Sequence, residues 1–127
     1  MPSWQPNWRD VVWDWGAADD ARNALRRAAD LLDSTANERQ YRSRAATAEW
    51  RGRHRERFDA ELSRLLRQAH DLAGSFRDAA NRIVNASQRA RDEQRHRERE
   101  RERWRREKEA EERARRSSGG GGGGSAG

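Results

Sequence analysis

Cysteine is absent from this chain, which excludes disulfide staples and thiolate metal sites and leaves the redox compartment open. Proline occurs twice, as Pro2 and Pro6, and glycine is missing from most of the chain apart from Gly16, Gly52, Gly74 and a terminal run. Long helices are therefore permitted from residue 7 onward. No stretch of 18 or more apolar residues exists, so a membrane-spanning helix is not expected. The start of the chain also lacks a charged segment followed by an apolar one, and no cleavable secretory signal is expected. Lysine is nearly absent: one residue, Lys108, stands against 27 arginines. That bias fits GC-rich codon usage. The net charge of +6 permits attraction to acidic partners.

Chemistry-bearing patterns are scarce too. His54, His70 and His96 are far apart in sequence and none has a second ligand at a metal-binding spacing. Asp and Glu are plentiful, but a helical rod offers no cleft in which to desolvate a carboxyl group. The one glycine-rich stretch is terminal and precedes no helix, so a phosphate cradle is not expected. These absences point to a non-enzymatic protein without cofactor or metal, one that works by binding.

What is present is helical periodicity. Phe58, Leu62, Leu65, Ala69, Leu72, Phe76, Ala79, Ile83, Ala86 and Ala90 recur at spacings of four and three, the seam of a long helix. Ala21, Leu25, Ala28, Leu32 and Thr35 repeat the pattern upstream. Between the two lies Trp50-Arg51-Gly52, where glycine can take the positive φ that a corner needs. The predicted fold is all-α, an antiparallel two-helix hairpin. Its first helix runs over about 17–48, with Asp19 and Asp20 in the first turn and Arg39, Arg42 and Arg44 near the end, both favourable to the helix dipole. The second starts near Arg53 and reaches at least Ala90. Gly74 costs the second helix about 1 kcal/mol relative to alanine; there a small residue would allow close helix approach.

Four segments are expected. Residues 1–16 form an arm carrying Trp4, Trp8, Trp13 and Trp15, which either packs its indoles over the helix pair or offers an aromatic patch to a partner. Residues 17–90 form the hairpin. Residues 91–116 are almost pure Arg and Glu, with opposite charges at i,i+3 and i,i+4, and read as a solvated helical extension without a packed core. Residues 117–127 read as a flexible Gly/Ser tail.

With 39% charged and 32% hydrophobic residues, and alanine prominent among the latter, two such helices bury too little apolar area to offset chain entropy alone. An oligomer is therefore expected, most simply a dimer forming a four-helix bundle. Leu25, Leu32, Phe58, Leu62, Leu65, Leu72, Phe76 and Ile83 would make the partner-binding face. Arg51, Arg53, Arg55 and Arg57 cluster where cations face the positive end of the second helix's dipole, and they form a candidate docking tip for an acidic partner.

With Trp50-x-Gly52 between two helices, Phe58 six residues after the glycine and a Leu/Ala seam beyond it, residues 17–90 resemble the Trp-x-Gly family of helical hairpins handled by type VII (ESX) secretion. The early secreted antigenic target-like proteins are its best-known members. The resemblance implies a homodimer, or a heterodimer with another Trp-x-Gly hairpin. It also implies export without a signal peptide, to the cell surface or beyond, and recognition by a secretion ATPase. Trp50 and Gly52 would form part of the export signal, with Phe58 packed beneath. Family members commonly carry a Tyr followed four residues later by an acid after the second helix. Here the one tyrosine, Tyr41, lies in the first helix with Ala45 at that spacing, and His96 with Glu100 is the nearest equivalent. A hairpin lacking that motif would depend on a partner's signal or stay in the cytoplasm. Two other classes remain open: a structural coiled-coil spacer, and a nucleic-acid-binding basic helix, against which the acids interleaved through 92–112 weigh.

Overall fold

The computed structural model describes residues 2–120. Among them there is no strand, and two helices account for most of the chain: α1, Trp15–Ala46, and α2, Arg53–Gly120. Asp14 caps α1, its carboxylate accepting the Ala17 N–H at 2.9 Å and its carbonyl the Ala18 N–H at 3.0 Å. This cap starts α1 two residues before the expected Ala17. Asp19 and Asp20 consequently fall beyond the first turn, which holds no acid. Thr47 closes α1 by returning both its N–H, at 3.0 Å, and its hydroxyl, at 2.7 Å, to the Ser43 carbonyl. Trp50 N–H then reaches back to the Thr47 carbonyl at 2.9 Å, and Gly52 turns the chain at φ 86°. Among the described residues no other has a positive φ, so the whole reversal is concentrated at the residue type that tolerates it.

The chain divides into two compact units: Asp14–Ser87, and Met1–Trp13 with Gln88–Gly127. In the first, α1 and the opening half of α2 pack against each other as the expected hairpin. Its buried apolar residues are alanines: Ala18, Ala29 and Ala36 on α1, Ala73 and Ala80 on α2. The helices thus meet through their smallest side chains, and the larger ones stand to either side. Leu62, Ala69, Phe76, Ile83 and Ala90 of the expected seam are half-buried, but the positions between them are displaced. Leu66, Ala73, Ala80 and Ser87 turn inward, one position after the expected Leu65, Leu72, Ala79 and Ala86, while Leu65 and Leu72 stay 46% exposed. Gly74 is not a point of close approach, since a Cβ added there would meet nothing within 4 Å.

In the second unit, the arm packs along the Arg/Glu-rich stretch of α2. That stretch is more than a solvated extension: Trp104 is buried to 8% exposure, and Pro2 and Pro6 are buried with it. Helix continues through Ser117 to Gly120, into the segment expected to lack structure, and Ser118 returns its hydroxyl to the Ala114 carbonyl at 2.7 Å. The remainder of the expected tail, 121–127, lies outside the described residues.

Candidate interaction surfaces

The corner explains the arginines at the start of α2. Arg51 donates to the carbonyls of Ala48, at 3.0 Å, and Trp50, at 2.8 Å. Arg55 donates to the Thr47 carbonyl and pairs with Asp59 at 2.9 Å. In an antiparallel hairpin the positive end of α2 lies beside the negative end of α1, and these cations serve carbonyls of the cap and turn that follow α1, Arg51 from the turn itself and Arg55 from the first turn of α2. Two of the four docking-tip candidates are therefore engaged in holding the turn. Arg53 and Arg57, with His54, stand exposed. Trp50 stacks edge-on against Phe58, with centroids 5.6 Å apart and planes at 68°, a contact worth about 0.5–1.5 kcal/mol beyond burial. Even so, Trp50 remains 48% exposed. Trp50, Gly52 and Phe58 are thus brought together at one end of the hairpin.

Along the hairpin the expected partner face separates into two sets. Leu25, Leu32, Phe58, Leu62, Phe76 and Ile83 are half-buried within the unit, whereas Leu65 and Leu72 remain outside. Leu32, Thr35, Ala36 and Arg39 of α1 and Leu62, Leu65, Leu66 and Ala69 of α2 line an open groove of about 270 Å³. The far flank of Leu66 is polar, lined by Gln40, Ser63, Arg67 and His70. One flank of the hairpin is thus greasy and the other wet. Leu31, 68% exposed, and Val84, 37% exposed, lie off the expected seam and stand outside it in the structure.

A polar cluster bridges the two helices. Arg77 meets Asp33 at 2.6 Å and Asp30 at 3.0 Å, and His70 Nδ1 lies 2.7 Å from Asp33. Hydrogen bonds from His70 and then Arg77 hold the Asp33 carboxyl below the usual carboxylate range, and those that Arg77 donates to Asp30 and Asp33 raise its own pKa.

The third surface is one that the sequence pattern hid. Trp8 meets Trp104 edge-on, with centroids 5.2 Å apart and planes at 90°. The Trp104 indole donates to the Trp4 carbonyl at 3.0 Å, and Trp4 donates to Glu107 at 2.6 Å. Arg103 lies over the Trp4 ring at 4.3 Å, Arg105 over Trp8 at 5.6 Å and Lys108 over Trp104 at 5.3 Å. Gln94, Arg97, Arg101, Trp104 and Lys108 continue the spacing of four and three from Ala90 with polar residues. The one signal available in the sequence was a lone tryptophan on that phase. Asp10 is held below the usual range by its hydrogen bonds from Gln94 and then Arg101. His96 is exposed and Glu100 lies 3.6 Å from Arg103.

Among the described residues no group of three His, Asp or Glu is placed to hold a metal ion, and no helix is long and apolar enough to cross a membrane. Comparison with protein-family models, curated proteins and solved structures gives no match to this chain.

Proposed function

We propose that this protein is a non-enzymatic helical-hairpin interaction subunit of the kind the Trp-x-Gly resemblance implies, acting as half of a four-helix bundle with a second copy or a cognate hairpin. The observation that carries the reading is the one-sided apolar groove between α1 and α2, with Leu31, Leu65 and Leu72 beside it or near it in sequence and exposed. A hairpin whose fully buried apolar residues are all alanine leaves Leu31, Leu65 and Leu72 for something else to cover. The corner supports the secretion reading, because an exposed Trp50 over Phe58 beside Gly52 is an arrangement a secretion ATPase or a partner can read. On this proposal the chain is made in the cytoplasm and exported, folded and paired, without a signal peptide.

Light scattering of the purified chain tests the bundle, with Leu65→Glu/Leu72→Glu as the disruptive variant. The bundle reading expects a dimer, or a monomer that becomes a one-to-one complex with a cognate hairpin, and loss of that species in the variant. A dimer that the variant leaves intact would reject this face. Export is tested separately: a Trp50→Ala chain that still pairs but is no longer secreted supports the corner's role. The uninterrupted 68-residue α2 favours a second reading, a coiled-coil spacer, for which Trp50→Ala would change neither pairing nor location.

A further inference from the structure

The contact between the arm and α2 is unusual in what it recognises. Reading along α2, Gln94 accepts the Val11 N–H at 2.8 Å. Arg97 donates to the Arg9 carbonyl at 3.1 Å. Arg101 donates to the Asn7 carbonyl at 2.9 Å and the Arg9 carbonyl at 2.7 Å, and also pairs with the Asp10 carboxylate at 2.9 Å. Trp104 donates to the Trp4 carbonyl. Four side chains on one helical stripe therefore satisfy main-chain groups of an irregular segment, the task that a sheet edge performs when it takes up a peptide strand. Side chains of the segment add selectivity at two places: Trp4, covered on one face by Arg103 and bonded to Glu107, and Trp8 against Trp104.

The arm is built as a ligand. No helix or strand includes residues 2–13, and local bonds such as Trp8 to Gln5, at 3.1 Å, and Arg9 N–H to Asn7, at 3.0 Å, join near neighbours. Its order comes from what it lies on. The start of α1 carries its own cap, Asp14, whose carboxylate and carbonyl take the Ala17 and Ala18 N–H groups. The arm can therefore leave without exposing orphan N–H groups at the head of α1.

We propose that the 94–108 face of α2 is a peptide-binding site for a non-helical segment with tryptophans four residues apart, filled in cis by the chain's own arm and in trans by the arm of a second copy. The site does not rest on the hairpin-pairing reading, since Leu65 and Leu72 take no part in it. In the intact chain the tethered arm competes at an effective concentration of about millimolar, so exchange is favoured only at high concentration or when the cis arm is weakened. Reciprocal exchange between two copies is a domain swap.

Fluorescence anisotropy with a fluorescein-labelled synthetic peptide of residues 2–13 tests this, using full-length protein throughout. A Trp4→Ala/Trp8→Ala chain, whose own arm has lost its anchors, should bind the peptide at least about tenfold more tightly than the intact chain. Adding Arg101→Ala to that chain should weaken binding by at least about tenfold, as should replacing both tryptophans of the peptide with alanine. Absence of saturable binding to a double variant of unchanged helix content overturns the proposal, as does equal binding of the tryptophan-free peptide. Should the double variant lose helix, titration of the intact chain to millimolar peptide decides. Saturation with the same dependence on the two tryptophans supports the site, and no saturation overturns it.

Discussion

Two glycines in this protein should respond oppositely to the same substitution. Gly74 lies inside α2 at an ordinary helical φ, Gly52 at the corner at φ 86°, and a Cβ added at either meets nothing within 4 Å. Sterics against neighbours therefore drop out, and only the backbone distinguishes them. Gly74→Ala removes the excess conformational freedom of the unfolded chain and should stabilise by about 1 kcal/mol. Gly52→Ala forces an L-residue into the left-handed region and should cost about 1–2 kcal/mol. The hairpin unit covers residues 14–87. At about 2.1 cal/mol/K per residue its unfolding entropy is about 0.16 kcal/mol/K, so 1 kcal/mol moves Tm by about 6 °C. Thermal melts by far-UV circular dichroism, at matched chain concentration because pairing shifts Tm, should show Gly74→Ala raised by about 6 °C and Gly52→Ala lowered by about 6–12 °C. A lowered Tm for Gly74→Ala would refute the reasoning. It would mean that something covers Gly74 in solution, and the first suspect would be a second hairpin.

Three further outcomes are expected. Asp33 has a depressed pKa, so its contribution is present above its unfolded value of about 3.9 and is lost as pH falls through the folded one. The Tm gap between the parent and Asp33→Asn should accordingly be open at pH 7 and close in acid; a gap of constant size down to pH 2 would show that the charge is not responsible. Trp104→Ala should loosen arm docking by about 3 kcal/mol, read as faster hydrogen exchange at the Val11 amide, whereas the melt of the hairpin changes much less. Arg55→Ala should lower Tm more than Arg53→Ala, since Arg55 reaches the Thr47 carbonyl and Arg53 stands in solvent; equal effects would contradict the capping role.

The two helices and their corner were legible because periodicity, a glycine and the absence of breakers agree on them. The register was not. Choosing the largest apolar side chains at each turn nominates Leu65 and Leu72, whereas a tight antiparallel pair selects Ala73 and Ala80, whose small size lets the backbones approach. The arginines at the start of α2 looked costly because the dipole of one helix was considered without the carbonyls of the cap and turn that follow the other. The role of residues 94–108 was hidden by composition. Hydropathy reports where apolar groups go, and here the segment is held by guanidinium-to-carbonyl bonds, which leave no apolar periodicity.

The perpendicular stacking of Trp8 on Trp104 gives the molecule a built-in optical reporter. Two indoles locked edge-on couple their transitions and produce a near-ultraviolet circular dichroism signal that two freely rotating rings do not. Helix content is read at shorter wavelengths, so arm release can be followed on unlabelled protein as the loss of one signal while the other stays constant. The lone lysine adds a chemical handle at the same place. An amine-directed dye at Lys108, one turn from Trp104 on α2, would lie near the docked Trp8, and its quenching of that arm indole would report whether the arm is in place.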